Sequence, residues 1–444
     1  MKLKYLLAAS VVGLSAAVIL PAPAAAQQIT ATIEGNVRAA DGTALSGASV
    51  TILDERTGQS RTLITDNNGA FRAVNLVPGG PYTVTAQASG YEGQSVADQS
   101  ITVQGAATFN FALSSSTSSD VIVVSGDRVR ATQVANGPGL AFDATIMESF
   151  PSISRDIRDI IRIDPRVSLD RDGEVDRISC LGGNDRTNTF TVDGIVQGDS
   201  FGLNGTPFAS RNAMPIPYDV IRETSVEFAP FDVEYSDFTG CLVNVVTKSG
   251  GNDWHGSAFF TYRDSNLRGS TIDGVEQVNV PFMEKRWGAT LSGPIVKDRL
   301  FFMFGYEQTD LGSTNDFGPA GSDFPNEVSY VTQAQFDRFQ QIARDVYGQD
   351  IGGLQRALPE ASRRFFGRLD GYITDQHRIE LAYQRLEETN VTPDAGSQQL
   401  TGYNSYLDEG TISDYYSARL FSDWSDTIST EIRLSRSEVG DVQG

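Results

Sequence analysis

The sequence predicts a mainly β protein in three successive units: a small β-sandwich, a compact mixed α/β unit, and an incomplete antiparallel sheet of the transmembrane-barrel kind. Three observations predict it. Residues 29–113 break into about seven short β-type runs separated by turn residues. Residues 131–251 mix helix and strand signals in a βαβ-like order. From Trp254 onward, polar and apolar residues alternate over runs of roughly ten, and the connections alternate between short and long.

The first residues stand outside this scheme. Lys2 and Lys4 precede an apolar run from Leu6 to Leu20, and Ala24-Ala25-Ala26 supplies small residues before Gln27. This is the pattern of a secretory signal peptide over residues 1–26, too short and too quickly ended by Pro21 and Pro23 for a membrane anchor. A net charge of −21 argues against nucleic acid as a partner.

Residues 27–114 carry the sandwich. Runs such as Thr30 to Val37, Ala48 to Leu53, Tyr82 to Ala86 and Phe109 to Leu113 read as strands, and Asn67-Asn68-Gly69 as a hairpin turn. Residues 115–130 form a tether. Ser114 to Ser119 is a Ser/Thr linker running into Asp120-Val121-Ile122-Val123-Val124-Ser125-Gly126. Four consecutive β-branched residues in such a setting make poor core, but a good strand for another protein to pair with. Because the linker cannot bury them, they are expected to be extended and unpacked. The alternative for these residues is an edge strand of the following unit.

Residues 131–252 form the second unit. Asp156 to Arg162 suggests a short helix, and Asp219 to Phe228 a helix passing into an extended segment. Thr189 to Gly194 is a strand entering a turn, and Gly240 to Gly250 a strand with small residues at both ends. The only two cysteines, Cys180 and Cys241, fall here. In an oxidising compartment an even pair reads as one disulfide, the alternative being two buried thiols. His255 and His377 are too far apart in sequence for a recognised metal set. The acidic run Asp170 to Asp176 has its glycine at the wrong position for a calcium loop and reads as a polar loop. No metal or cofactor is expected. Gly198-Asp199-Ser200-Phe201-Gly202 matches the nucleophile-elbow pattern, but Gly202, Gly205 and Pro207 break the helix an elbow needs. No enzyme is expected.

Residues 253–444 carry the barrel-type strands. Trp287, Leu291, Ile379, Leu381, Tyr383, Ile428, Ile432 and Leu434 alternate with Thr290, Ser292, Arg378, Glu380, Glu431 and Arg433. The first set is expected to face lipid and the second the interior. Lys297-Asp298-Arg299, Thr374-Asp375 and Trp424-Ser425-Asp426 are tight turns, while 264–284, 310–361 and 388–412 are long loops. The longest contains an amphipathic segment, Gln333 to Tyr347, with Phe336, Phe339, Ile342 and Val346 spaced for one helix face and expected to pack on its own loop. About seven strands cannot close a barrel wide enough for a plug, and Glu438 to Gly444 does not read as a terminal aromatic strand. The sequence is therefore expected to be the front part of a longer protein, or a truncated product.

Several strings resemble known families. Leu45-Ser46-Gly47-Ala48, Thr65 to Phe71 and Leu76 to Val84 resemble the carboxypeptidase regulatory-like, transthyretin-like module, which implies a carbohydrate-binding-like fold without catalytic residues of its own. Asp120 to Gly126 resembles the TonB box of TonB-dependent outer-membrane receptors. Phe190-Thr191-Val192-Asp193-Gly194 and Val243-Asn244-Val245-Val246-Thr247-Lys248-Ser249-Gly250 resemble motifs of their plug domain. With the sandwich in front, the chain is similar to the Oar-like subgroup, although Cys180 and Cys241 are not part of the general plug pattern. The resemblance implies active transport of a ligand across the outer membrane, with the N-terminal domain in the periplasm. Its implied partners are TonB with the ExbB/ExbD inner-membrane motor, outer-membrane lipid, and an extracellular ligand for which a polymer or glycan is one candidate. The alternative is a surface-binding or adhesion protein without transport.

Overall fold

The computed structural model describes residues 29–443 apart from 104, 117–120, 124–131, 134–138, 151, 153, 171–175, 199–205, 207, 212, 229–238, 277–281 and 426–427. The expected signal segment lies outside the described residues. So do Asp120, Val124, Ser125 and Gly126, most of the acidic run, and Asp199 to Gly202 of the elbow-like string.

Seven strands build the sandwich: β1 (Ala31–Ala39), β2 (Ser49–Asp54), β3 (Gln59–Ile64), β4 (Ala70–Leu76), β5 (Gly79–Gln87), β6 (Gly93–Ile101) and β7 (Ala106–Leu113). They form two sheets, ordered β4-β1-β7 and β3-β2-β5-β6. Alternate residues point into the shared core, where Ile33, Val50, Ile52, Val84, Phe109 and Phe111 are buried. Their neighbours Thr51 and Thr62 pair through their hydroxyls at 3.1 Å on the outer face. The Asn67-Asn68-Gly69 turn closes through Asp66 N–H to the Ala70 carbonyl, 2.9 Å, with Gly69 at φ +75°. It carries the chain from one sheet to the other, since β3 and β4 lie in different sheets, and so is not a hairpin within one.

The tether does not hang free. Residues β8 (Val121–Val123) add to β6 as a parallel strand, and β9 (Thr132–Gln133) adds to β7 antiparallel. Val121–Val123 is extended as expected, but the expectation that it stands unpaired is corrected here: β6 offers an open edge within a few residues' reach, and the backbone of these three residues pairs with it.

The second unit, the expected plug, follows with β10 (Gly139–Phe142), α1 (Ala144–Ser149), α2 (Arg158–Ile161), β11 (Val167–Asp170), β12 (Arg177–Cys180), β13 (Thr189–Val192), β14 (Ile195–Val196), β15 (Ile221–Phe228) and β16 (Cys241–Thr247). Its sheet runs β10-β15-β16-β13-β14, with only β13 and β16 parallel, beside a β11–β12 hairpin. Helix content is lower than the sequence suggests. The segment expected to be helical from Asp219 is a single 3-10 turn, Tyr218–Val220. Beyond it, Ile221, Thr224 and Val226 favour the strand, which pairs with β16 along its length.

Seven long strands form a curved antiparallel wall in sequence order: β17 (His255–Asp264), β18 (Met283–Val296), β19 (Leu300–Asp310), β20 (Glu360–Thr374), β21 (His377–Thr392), β22 (Leu407–Ser425) and β23 (Ile428–Gln443). Strand β23 pairs with β22 as far as Gln443, so Glu438 to Gln443 belong to the ladder although they carry no aromatic residue. Arg378 and Glu380 are buried on the inner side, whereas Trp287, Leu291, Leu381, Ile428, Ile432 and Leu434 are exposed on the outer one. Glu431 is exposed because β23 is an edge strand, while Arg433 still reaches inward to the plug.

This register predicts an experiment. Cysteine probes at positions 381 and 380 should differ when the complete protein is placed in lipid bilayers, with lipid-soluble quenchers reaching 381 and not 380. A one-residue slip would reverse the order.

In the longest loop, α3 (Gln333–Tyr347) begins with a Thr332/Gln335 capping box and ends at Gly348, φ +66°. Phe336 and Ala343 are buried, but Phe339 and Val346 are exposed. The packed stripe is therefore narrower than the spacing suggests.

Candidate functional site

The two plug strings, some fifty residues apart, meet as one contact. Asp193 and Gly194 form the two-residue loop of the β13–β14 hairpin, both at positive φ, +47° and +71°. Asp-Gly suits such a loop because both residues tolerate the left-handed region. The turn aims the Asp193 carboxylate at the end of β16, where it accepts from Thr247 N at 2.9 Å and Thr247 Oγ1 at 2.7 Å. One step earlier, Thr191 Oγ1 donates to Asn244 Oδ1 at 2.9 Å, across the parallel β13–β16 pair. Val192 is buried beside them. Lys248 N–H donates to the Val220 carbonyl at 2.7 Å and so ties the end of β16 to the turn before β15.

Cys180 and Cys241 are joined, their Cα atoms 6.0 Å apart. The bond fastens the β11–β12 hairpin to the central strand of the plug sheet. Cys241 N–H also donates to Asn188 Oδ1 at 3.0 Å.

The plug rests on the barrel wall through polar clasps. Arg368 Nη1 donates to Thr247 Oγ1 at 3.1 Å and lies 3.7 Å from Asp193. Its other nitrogens meet Asp370 at 2.8 Å and Glu380 at 2.7 Å. Arg378 and Arg419 complete the group around Glu380, at 3.2 and 2.7 Å. Arg419 also donates to the Asp193 carbonyl, and Arg433 to the Gly194 carbonyl at 3.1 Å. A second clasp centres on Glu307, which accepts from Arg155, Tyr218 N–H and Arg364 at 3.2, 3.0 and 3.2 Å. In a third, Glu388 accepts from Arg211 and Ala213 N–H groups, both at 2.8 Å. Sequence alternation sent Arg378 and Glu380 inward but gave no sign that their neighbours Arg368 and Arg419 meet Asp193 of the plug, because these two pairings join residues more than a hundred positions apart.

The sandwich closes the short-turn end of the wall. Arg61 pairs with Asp423 at 2.9 Å, and Asn252 N–H donates to the Arg56 carbonyl at 2.7 Å. Gly79, at φ +97°, lies so close to the Arg222 side chain that a Cβ there would meet it at 2.2 Å. Next to it, Val103 N–H donates to buried Glu223 at 3.2 Å. Burial pushes the Glu223 carboxyl up to about 8, against the opposing pull of the Val103 N–H and Arg222.

A raised carboxyl pKa means that the folded state holds a proton the unfolded state has lost. The stability it contributes is present below the ordinary carboxylate value of 4.5 and declines as pH rises towards about 8. Thermal midpoints measured from pH 5 to pH 8 should therefore fall in the parent and change less in Glu223→Gln. Equal slopes would remove Glu223 as the source.

Comparison with known proteins agrees with this architecture. The family model for the carboxypeptidase regulatory-like domain matches residues 32–114, and that for an outer membrane beta barrel domain matches residues 246–319. The chain is 24% identical over 365 residues to the TonB-dependent transporter Oar of Myxococcus xanthus, covering 76% of this chain and 32% of that protein. The chain thus pairs a carboxypeptidase regulatory-like domain with part of an outer membrane beta barrel domain and is similar to a TonB-dependent transporter. It is also 25% identical over 276 residues to the ferrienterobactin receptor of Escherichia coli K12, covering 56% of this chain and 33% of that protein. It spans about a third of the length of these curated relatives. Among solved structures, the outer membrane transporter YddB of Escherichia coli matches with a TM-score of 0.50 at 12% identity, over 69% of this chain and 39% of that one, which is a likeness of fold. The barrel-domain match and the relatives place the chain in the outer membrane.

Proposed function

We propose that this chain is the front part of an active transporter that takes an extracellular ligand across the outer membrane, energised by TonB and its ExbB/ExbD motor, and that it is not an enzyme. The sandwich stands in the periplasm in this reading, and the Asp120 to Gly126 segment is where the coupling protein adds as a strand. The observation that carries it is the plug–barrel contact. The plug meets the wall through hydrogen bonds and ion pairs around Asp193, Glu307 and Glu388, beside an apolar contact in which Met303 and Phe366 of the wall join the plug core. The polar contacts can exchange with water at small net cost, as a plug that moves requires.

Successive N–H groups in a strand point to opposite edges, so Ile122→Pro with Val123→Pro strips a donor from each. In the full-length receptor this pair should weaken capture by the purified periplasmic domain of TonB at least tenfold and abolish ligand uptake. Undiminished capture and uptake would mean that the coupling segment lies elsewhere, whereas no ligand uptake by the parent would leave a static, surface-binding protein as the better reading.

A further inference from the structure

We infer that the N-terminal sandwich masks the coupling strand, so that the coupling protein must peel Val121–Val123 off the sandwich before force can reach the plug. This inference rests on the coupling role proposed above for that segment.

The backbone is taken up step by step. Glu92 N–H donates to the Ser114 carbonyl at 2.9 Å, Ser115 bridges to Tyr91, and Ser116 N–H donates to the Gly90 carbonyl at 3.0 Å. The chain then re-joins the same edge at β8, where Val121, Ile122 and Val123 stand opposite Gly93, Gln94 and Ser95 of β6. It returns through β9, where Thr132 and Gln133 stand opposite Thr108 and Ala107 of β7. The tether thus straps both sheets of the sandwich, one strand on each.

Two physical consequences favour masking. Only seven residues separate the end of β7 from β8. The sandwich edge is therefore presented to the strand at an effective concentration of roughly millimolar, which an outside partner must overcome. The sandwich is also fastened to the wall and the plug, by Arg61 to Asp423 and by Val103 to Glu223. A pull on β8 while it remains paired loads the sandwich and its anchorage, and the plug strands beyond β9 feel none of it.

The test locks the strand in place. Gln94→Cys with Ile122→Cys puts two thiols at directly opposed positions of the β6–β8 pair. In the full-length receptor, the oxidised pair should bind the periplasmic domain of TonB at least tenfold more weakly than the parent, and reductant should restore binding. Each single-cysteine variant, carried through the same oxidation and reduction, controls for effects on Cys180 and Cys241. Parent-like binding by the oxidised pair would overturn the masking and mean that the partner uses the outer edge of β8. Replacement of residues 120–126 by a Gly/Ser stretch separates the two readings. If that variant binds as well as the parent, the coupling role itself fails; if it does not bind while the locked receptor does, only the masking fails. Hydrogen exchange gives a measurement without substitutions. Those amides of residues 121–123 that point towards β6 should exchange in the free receptor at least tenfold more slowly than in an unstructured peptide, and unprotected exchange at all three would overturn the inference.

Discussion

Glu380→Ala should destabilise the seated plug by about 3–5 kcal/mol, the usual cost of removing one partner from a buried ion cluster. Glu380 is 2% exposed and stands among Arg368, Arg378 and Arg419, with carboxylates from Asp370 and Asp193 completing the group. Three guanidinium groups then face three carboxylates. Without Glu380 one positive charge is uncompensated in a site with little access to water, and Arg419 loses its carboxylate partner. Glu380→Gln keeps an acceptor for one N–H and should cost less. The urea midpoint of the full-length protein in detergent, followed by a probe on the plug, checks both. A shift of under about 1 kcal/mol for the alanine variant would show that water already screens the cluster.

Opening the Cys180–Cys241 bond should cost the plug about 4 kcal/mol in the chain-entropy model, because it closes a 61-residue separation. The cysteines are 4% and 0% exposed, so mild reductant should leave the bond intact until the plug opens. Cys180→Ser with Cys241→Ser is expected to lower the plug transition in urea while the barrel transition stays in place. Unchanged plug stability would mean that the hairpin and sheet hold together without the bond. The bond also bears on movement. Residues between Cys180 and Cys241 include β13, β14 and β15, and they cannot be drawn out to full length while it is closed. The portion ahead of Cys180 is free of that limit.

The fold was legible where chemistry is local. Leu381 and Glu380 reveal opposite faces because strand side chains alternate, and Asp193-Gly194 reveals a tight hairpin because few residues accept positive φ. Strand ends were less visible. Near Thr389, Asp408 and Asp441 the apolar alternation fades while the ladder continues, since main-chain pairing needs no apolar side chain. Least visible were contacts made over long separations. Nothing in the residues around Ile122 says that Gln94 will stand opposite, and nothing near Asp193 announces Arg368 or Arg419. Phe339 and Val346 show the complementary error: helical spacing identifies a face, but what covers it is decided by the loop around it.

The unequal ladder lengths in the sandwich set an order of failure. Strand β1 matches β7 over eight residue pairs, whereas β8 holds β6 through three and β9 holds β7 through two. Tension on the tether would break the short ladders first, much as a fuse yields before the circuit it protects. The seven-stranded body would survive each stroke and remain available to recapture the strand, so the device would reset itself without refolding.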